Sequence, residues 1–303
     1  MSVCLVTGAA GFIGSSLINT IVKNGDKVIG VDNFRTGYSS NLLQDSDNFI
    51  FVEADVSDKI VVDSLFSKYK PEITYHLAAL VSVKESSENP ELNWKLNYEM
   101  TTIIADVCCK YNCKIVFSST AAVYETNNQP CSETSKVFPV SPYGVAKLES
   151  EKFILNNSNN FIIARFFNVY GIRQNPSSPY AGVISKFGYN TLNKIPRIIY
   201  GDGNQVRDFI NVLDVVDILH KLAKLKQCDV FNVCTGNPTS LLKLDSIFNG
   251  LAPNNPRTIF LPAMESEVKY SVGSNLKTTN AIGDVSFQSI EPSIKLLFFE
   301  KSS

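Results

Sequence analysis

Paired CxxC spacings, basic stripes, long apolar runs, internal repeats and low-complexity tracts are all missing from this sequence. Each absence removes a class of function. The seven cysteines, Cys4, Cys108, Cys109, Cys113, Cys131, Cys228 and Cys234, are odd in number and share no CxxC frame. No histidine stands near Cys108 and Cys109 in sequence, so no metal set is spelled out and no metal is expected. They read as free thiols of a reducing compartment. Lys and Arg number 28 against 29 Asp and Glu, a formal net charge of −1. These charges are scattered, as solvated faces are, and make no basic footprint for nucleic acid. No apolar stretch nears the roughly 18 residues of a membrane span. A strand and a glycine loop fill positions 2–14, where a signal peptide would stand. The expectation is a cytoplasmic protein that binds neither nucleic acid nor membrane.

What is present is a globular composition, 44% hydrophobic and 19% charged over 303 residues. That length suits one large core or two modest domains. Short apolar runs at 3–7, 27–31, 48–53, 72–76, 114–118 and 161–165 read as buried parallel strands. Amphipathic stretches at 12–23, 59–69, 91–110 and 143–155 read as the intervening helices. The alternation predicts an α/β fold, a Rossmann-type doubly wound parallel sheet with right-handed crossovers. The rhythm breaks near Asn168, and a helix at 214–224 and a strand at 230–233 return to the sheet. A dinucleotide-binding domain of 1–167 plus about 205–235 is therefore expected. A smaller mixed C-terminal substrate domain takes about 168–204 plus 236–303.

Gly8, Gly11 and Gly14 lie between the first strand and the first helix. The first permits a tight turn, the second admits a pyrophosphate, and the third lets helix and strand close up. The helix N-terminus then offers free N–H groups to the phosphates. Asp32 follows Gly14 by 18 residues and ends the second strand. A carboxylate there accepts the ribose hydroxyls and repels a 2′-phosphate, so NAD is expected over NADP. Arg35 is near enough to blur that preference. Asp55 reads equally as an adenine contact or as a turn acid. Leu77, Ala78 and Ala79 leave room for a flat cofactor, and His76 reads as a structural histidine.

Ser118, Ser119 and Thr120 end the fifth strand, and Tyr143 and Lys147 stand at i and i+4 on one helical face. A phenol titrates near 10, so only about 0.1% is ionised at pH 7. Lowering that value by ~3 units takes roughly 4 kcal/mol, within reach of a close, poorly hydrated cation aided by an oxidised nicotinamide. Tyr143 is then expected to take a proton from a sugar hydroxyl whose carbon gives up hydride. The Thr120 hydroxyl holds the same oxygen.

Seven strings occur in order: TGAAGFIGS (7–15), VDNFRTG (31–37), HLAALVSV (76–83), FSSTAAVYE (117–125), SPYGVAKLESE (141–151), RFFNVYGIRQ (165–174) and YGDGNQVRDFINVLDVV (200–216). Together they resemble the extended short-chain dehydrogenase/reductase family, specifically its nucleotide-sugar epimerases and dehydratases. The likeness is strong to about residue 217 and weak beyond 235. It implies an NAD cofactor held by Phe12, Ile13, Asn33, Arg35, Thr36, Asp55, Val56, Ser118 and the helix asparagine Asn97, besides the glycine loop and Asp32. It implies a UDP-sugar held by Ser82, Thr120, Tyr143, Asn168, Val183, Phe187, Tyr200, Glu267 and the diphosphate arginine Arg207.

The subfamily turns on the two residues after Thr120. Family dehydratases carry an Asp-Glu pair there, and decarboxylases a glutamate, whereas this chain has Ala121 and Ala122. The resemblance thus implies an isomerase: a 4-epimerase of the kind that interconverts UDP-glucose and UDP-galactose through a transient 4-keto sugar. Many relatives carry an Arg-x-Gly-Asp string near the C-terminus; setting Glu267 on its aspartate puts Met264 where a second diphosphate arginine is expected. Ser271 stands where a bulky tyrosine restricts some relatives, leaving room for an N-acetyl group. Relatives often dimerise through helices matching 91–110 and 143–155, so a homodimer is expected. Two other readings stay open at this point. One is a nucleotide-sugar reductase or dehydratase, and the other a non-catalytic NAD-binding regulator.

Overall fold

The computed structural model describes residues 1–176, 181–263 and 268–300. In chain order the elements are β1 (Val3–Thr7), α1 (Phe12–Lys23), β2 (Lys27–Asp32), β3 (Phe49–Glu53), α2 (Lys59–Tyr69), β4 (Ile73–His76), α3 (Val83–Glu88) and α4 (Pro90–Trp94). A π-helical turn, Lys95–Glu99, leads into α5 (Met100–Lys110). Then come β5 (Lys114–Thr120), α6 (Pro142–Asn157), β6 (Phe161–Phe166), β7 (Asn168–Tyr170), α7 (Val183–Leu192), β8 (Ile198–Tyr200), β9 (Val206–Asn211), α8 (Val212–Ala223) and β10 (Asp229–Val233). The chain continues through β11 (Pro238–Ser240), α9 (Leu241–Leu251), β12 (Ile259–Leu261), β13 (Tyr270–Ser271), α10 (Leu276–Ile282) and α11 (Ile290–Phe298).

Seven strands form one sheet in the order β10-β6-β5-β4-β1-β2-β3, with parallel pairing from β3 to β6. This is the Rossmann-type, doubly wound arrangement. Strand order reverses between β1 and β4, and a ligand crevice opens beyond the carboxyl ends of the strands at that reversal. The strands are apolar almost throughout because both faces are covered. Leu5, Ile29, Phe66, Ile104, Ile115 and Phe117 share one buried cluster. A fully buried side chain of this size contributes about 1.5–3 kcal/mol, so the cluster holds the strand ends still.

The chain divides into two compact units. The first comprises Met1–Glu125, Lys136–Phe166 and Val216–Phe231. The second comprises Thr126–Ser135, Phe167–Val215 and Asn232–Ser303. The expected domains differ from these in where several segments fall. Residues 206–211 were expected with the dinucleotide-binding part, yet β9 pairs with β7, β11 and β13 and so lies in the second unit. The loop 126–135 joins it there through Cys131, which exchanges backbone hydrogen bonds with Val272 and Ser274. The second unit has its own core, with Tyr170, Ile184, Phe187, Phe209 and Phe248 among its members. Among the described residues no helix is long and apolar enough to cross a membrane, and no His, Cys, Asp and Glu side chains gather as a metal set.

Candidate active site

The turn after β1 is built for close approach. Gly8 has φ +70°, and a Cβ there would lie 2.9 Å from the Ala78 nitrogen. A Cβ on Gly14 would lie 2.1 Å from the Gly8 oxygen, so α1 packs against the turn only with glycine there. Gly11 is the N-cap of α1 and brings no side-chain cap, nor does any acid occupy the first turn. Phe12, Ile13 and Gly14 therefore present backbone N–H groups toward an anion at the positive end of the helix dipole. Asp32 is buried, and its Oδ2 accepts from Ala10 N at 2.9 Å while Oδ1 accepts from Phe34 N at 2.8 Å. Each oxygen keeps a lone pair for a ribose hydroxyl. These features fit a dinucleotide.

Neighbours of Asp32 divide their duties. Asn33 donates to Asp55 Oδ2 at 3.3 Å, and Ser57 N donates to Asp55 Oδ1 at 2.8 Å. Burial opposes ionisation of Asp55, but those hydrogen bonds and the Lys95 charge hold its carboxyl below the usual range. Asp55 is thus a turn acid whatever else it touches. Val56 is buried and Thr36 exposed. Arg35, expected to blur the choice of cofactor, forms an ion pair with Glu85.

Thr120, Tyr143 and Lys147 come together in the first unit. Ser141 caps α6 by accepting from Gly144 N at 3.1 Å, and Pro142 sits in its first turn. The cap places Tyr143 in that turn and Lys147 in the next. The phenol lies beside the Thr120 side chain, whose oxygen accepts from Ala122 N at 3.1 Å. Lys147 Nζ donates to the Ser118 carbonyl at 2.9 Å and lies 4.7 Å from the centre of the Phe117 ring. The Ser118 hydroxyl itself donates to the His76 carbonyl at 2.8 Å.

Within the protein alone, burial works against both charges of this pair. Burial raises the Tyr143 phenol to about 12, with the Thr120 hydrogen bond pulling the other way. Burial also lowers Lys147 to about 7, with Glu151 opposing. The lysine alone does not make the phenol acidic, because the same apolar surroundings penalise both charges. Phenolate formation would need a further positive charge beside the pair.

Behind Lys147 stands a buried pair that sequence reading missed. Arg165 grips Glu151 through Nε at 2.9 Å and Nη2 at 2.6 Å, and Ser119 Oγ donates to the same carboxylate. Glu151 follows Lys147 by four residues, so the helical spacing that picked out Tyr143 and Lys147 would also have found it.

A relay of hydroxyls fixes the strand ends. Thr7 Oγ1 accepts from Leu77 N and Ala78 N, both at 3.1 Å, which leaves its proton for His76 Nδ1 at 2.9 Å. His76 Nε2 then carries the ring proton and donates to Thr101 Oγ1 at 3.1 Å, and Thr101 donates to the Asn97 carbonyl at 2.6 Å. Ser150 donates to that carbonyl as well, at 2.9 Å. Asn97 lies in the π-helical turn, a local defect common at functional sites. Its Nδ2 donates to Leu80 O and Asn93 Oδ1, while Oδ1 is buried with no partner among the described residues. Ser82 Oγ caps α3 by accepting from Glu85 N at 2.9 Å.

The second unit holds the remaining expected residues. Asn168 and Val183 line a small cavity with Tyr170, Gln174, Ile184 and Phe209. Asn168 Nδ2 donates to the Asp208 carbonyl at 3.3 Å. Phe187 does not present itself to a ligand. It is 2% exposed and packs edge-on against Phe248, because its position on α7 faces the unit's core. Tyr200 is exposed. Arg207 Nη1 donates to the Val206 carbonyl at 2.9 Å. Its neighbour Asp208 is fully buried and accepts from Thr235 N and Oγ1, Gly236 N and Gly273 N. Asp208 thus anchors β9 beneath Arg207. Glu267 and Met264 lie outside the described residues.

The profile of the NAD dependent epimerase/dehydratase family matches residues 4–234. A UDP-glucose 4-epimerase of Mycolicibacterium smegmatis is 34% identical over 291 residues, which cover 92% of each chain. The solved UDP-glucose 4-epimerase of Thermotoga maritima, with UDP-glucose, superposes with a TM-score of 0.92 at 32% identity, covering 98% of this chain and 97% of that one. A UDP-N-acetylglucosamine 4-epimerase of Methanobrevibacter ruminantium M1, in complex with UDP-N-acetylmuramic acid, superposes with a TM-score of 0.91 at 28% identity, covering 98% and 97%.

Proposed function

Because the chain belongs to the NAD dependent epimerase/dehydratase family, we propose that it is a 4-epimerase of a UDP-sugar. It is an enzyme of nucleotide-sugar chemistry with NAD as its cofactor. The observation that carries the finer reading is the Thr120–Tyr143–Lys147 set followed by two alanines. Tyr143 and Thr120 address one sugar hydroxyl, Lys147 supports the phenol, and Ala121 and Ala122 offer no acid to eliminate water or assist decarboxylation.

In this reading Tyr143 withdraws the proton of the C4 hydroxyl and Thr120 holds the oxygen as it becomes a carbonyl. NAD, held by the glycine turn and Asp32, would supply the acceptor and donor for the C4 hydride and a positive ring charge favouring the Tyr143 phenolate. Tyr143 then hands the proton back. Asn168, Val183 and Arg207 take the nucleotide and its diphosphate, the guanidinium being suited to two phosphate oxygens at once. Ser271 pairs with Arg207 in the β13–β9 register, so a small side chain beside the diphosphate arginine supports acceptance of N-acetylhexosamines.

The helices named for self-association carry apolar groups at the surface. Leu92, Trp94, Val145 and Leu155 are each more than a third exposed, and the Trp94 ring lies tilted against Tyr98 at 4.4 Å. These exposed groups support a homodimer formed through α4, α5 and α6.

Incubation with UDP-glucose, UDP-galactose or UDP-N-acetylglucosamine, without added cofactor, tests the reading by product NMR. The expected outcome is inversion at C4 with no net change in NAD redox state. Tyr143→Phe should lose roughly 10²–10⁴-fold in turnover while retaining NAD. Unimpaired turnover in that variant, or release of a dehydrated or decarboxylated sugar by the native enzyme, would refute it.

A further inference from the structure

Between Val28 and Asp58 the sequence contains a single basic residue, Arg35. It stands three positions past Asp32, on the segment leaving β2. A guanidinium in that segment is the group that a ribose 2′-phosphate would call upon. The structure commits it elsewhere. Arg35 Nη2 donates to Glu85 Oε1, fifty residues further along the chain.

Both ends of this pair are fixed by backbone hydrogen bonds. Arg35 N donates to Asn33 Oδ1 at 3.1 Å, and the same loop is tied to the phosphate turn by Tyr38 N and Asn41 Nδ2, each donating to Ala10 O at 3.0 Å. Glu85 is held by the Ser82 cap of α3. In a Ser-x-x-Glu box the glutamate ordinarily turns back to the N–H of its own cap residue. Here its described side-chain bond runs to Arg35 instead. Strand order β4-β1-β2 means that the pair links the segments leaving β2 and β4, on either side of the strand that ends in the phosphate turn. The side chains are 33% and 17% exposed, so solvent screens the pair only in part.

We propose that Glu85 is a cofactor-specificity residue: by holding Arg35 it withholds the cation that would otherwise compensate a ribose 2′-phosphate, and so enforces NAD over NADP. Two acids then act in series. Asp32 repels the extra phosphate directly, with its carboxylate locked by Ala10 N and Phe34 N. Glu85 engages the cation carried by the segment that follows Asp32. Discrimination of this kind comes from what the site denies to the wrong ligand as well as from what it offers the right one. The inference rests on NAD dependence alone and is independent of which sugar is turned over.

The test is a fluorescence titration of the full-length protein, stripped of nucleotide, with NADH and separately with NADPH, in the absence of sugar. Glu85→Gln should tighten NADPH relative to NADH by roughly tenfold, the worth of a charge-assisted hydrogen bond to phosphate. Arg35→Ala in the native background should leave the NADPH/NADH ratio unchanged. The same change added to Glu85→Gln should erase the gain. An unmoved ratio in Glu85→Gln would overturn the proposal, as would a selective loss of NADPH in Arg35→Ala alone. Equal loss of both nucleotides in Glu85→Gln would also overturn it, since the pair would then be a prop for the loop.

Discussion

His76 shows how much a single buried side chain is asked to do. It is fully buried, accepts from Thr7, donates to Thr101, and stacks on Phe117 at 6.0 Å. Burial, with the Lys147 charge adding to it, lowers its pKa to about 3. The unfolded chain therefore binds a proton below the ordinary value of 6.5 that the folded chain refuses. Stability from this group is full above pH 6.5 and is lost as pH falls toward 3, at up to about 1.4 kcal/mol per pH unit. His76→Asn should destabilise at pH 7, and its deficit against the native protein should shrink by about 2 kcal/mol at pH 5. Urea unfolding midpoints at the two pH values measure this. A deficit that does not change with pH would show that His76 titrates normally. At this same scale the Tyr143 and Lys147 pair was readable from spacing. The direction in which burial moves the phenol was not, because desolvation depends on neighbours that sequence does not place.

At the scale of elements, parallel strands were the most legible feature. Short apolar runs covered on both faces have few other homes, and β1, β2 and β5 fall where expected, β5 extending two residues further, to Thr120. The stretch 91–110 was the least faithful. It reads as one helix, yet it divides into α4, the π-helical turn and α5. Asn97 stands at the division, its side chain bonded to Leu80 and its carbonyl taking the hydroxyls of Thr101 and Ser150. The contacts with Leu80 and Ser150, distant in sequence, leave no trace in helical periodicity. The small sheets of the second unit were missed because β7, β8, β11, β12 and β13 have three residues or fewer, too short to show alternation. The contact between α1 and the phosphate turn carries its own prediction. Gly14→Ala places a methyl against the Gly8 carbonyl, where only a backbone shift relieves it. The variant should lose about 1–3 kcal/mol of stability, the usual cost of overpacking, and should bind NAD more weakly. Thermal unfolding with and without NAD checks both effects, and native-like values in each would mean that α1 tolerates the shift.

At the scale of the molecule, the exposed apolar groups of α4 and α6 bear on assembly. Leu155 is 47% exposed on α6, and Phe153 on the same helix meets Tyr98 edge-on at 6.4 Å. If these helices mediate pairing, Leu155→Glu should shift the protein from dimer to monomer in light scattering, with its far-UV circular dichroism kept. A native protein that is monomeric at micromolar concentration would exclude that interface.

The interleaving of the two units also has a consequence for biosynthesis. The ribosome delivers β1 through β6 first, then β7, α7, β8 and β9 of the second unit, and only afterwards α8 and β10. Until that late strand emerges, β6 remains an open sheet edge with unpaired N–H and C=O groups, a template for unwanted association. The nascent chain thus spends its most vulnerable interval waiting for its own border strand, and slow translation across 167–228 would lengthen that exposure.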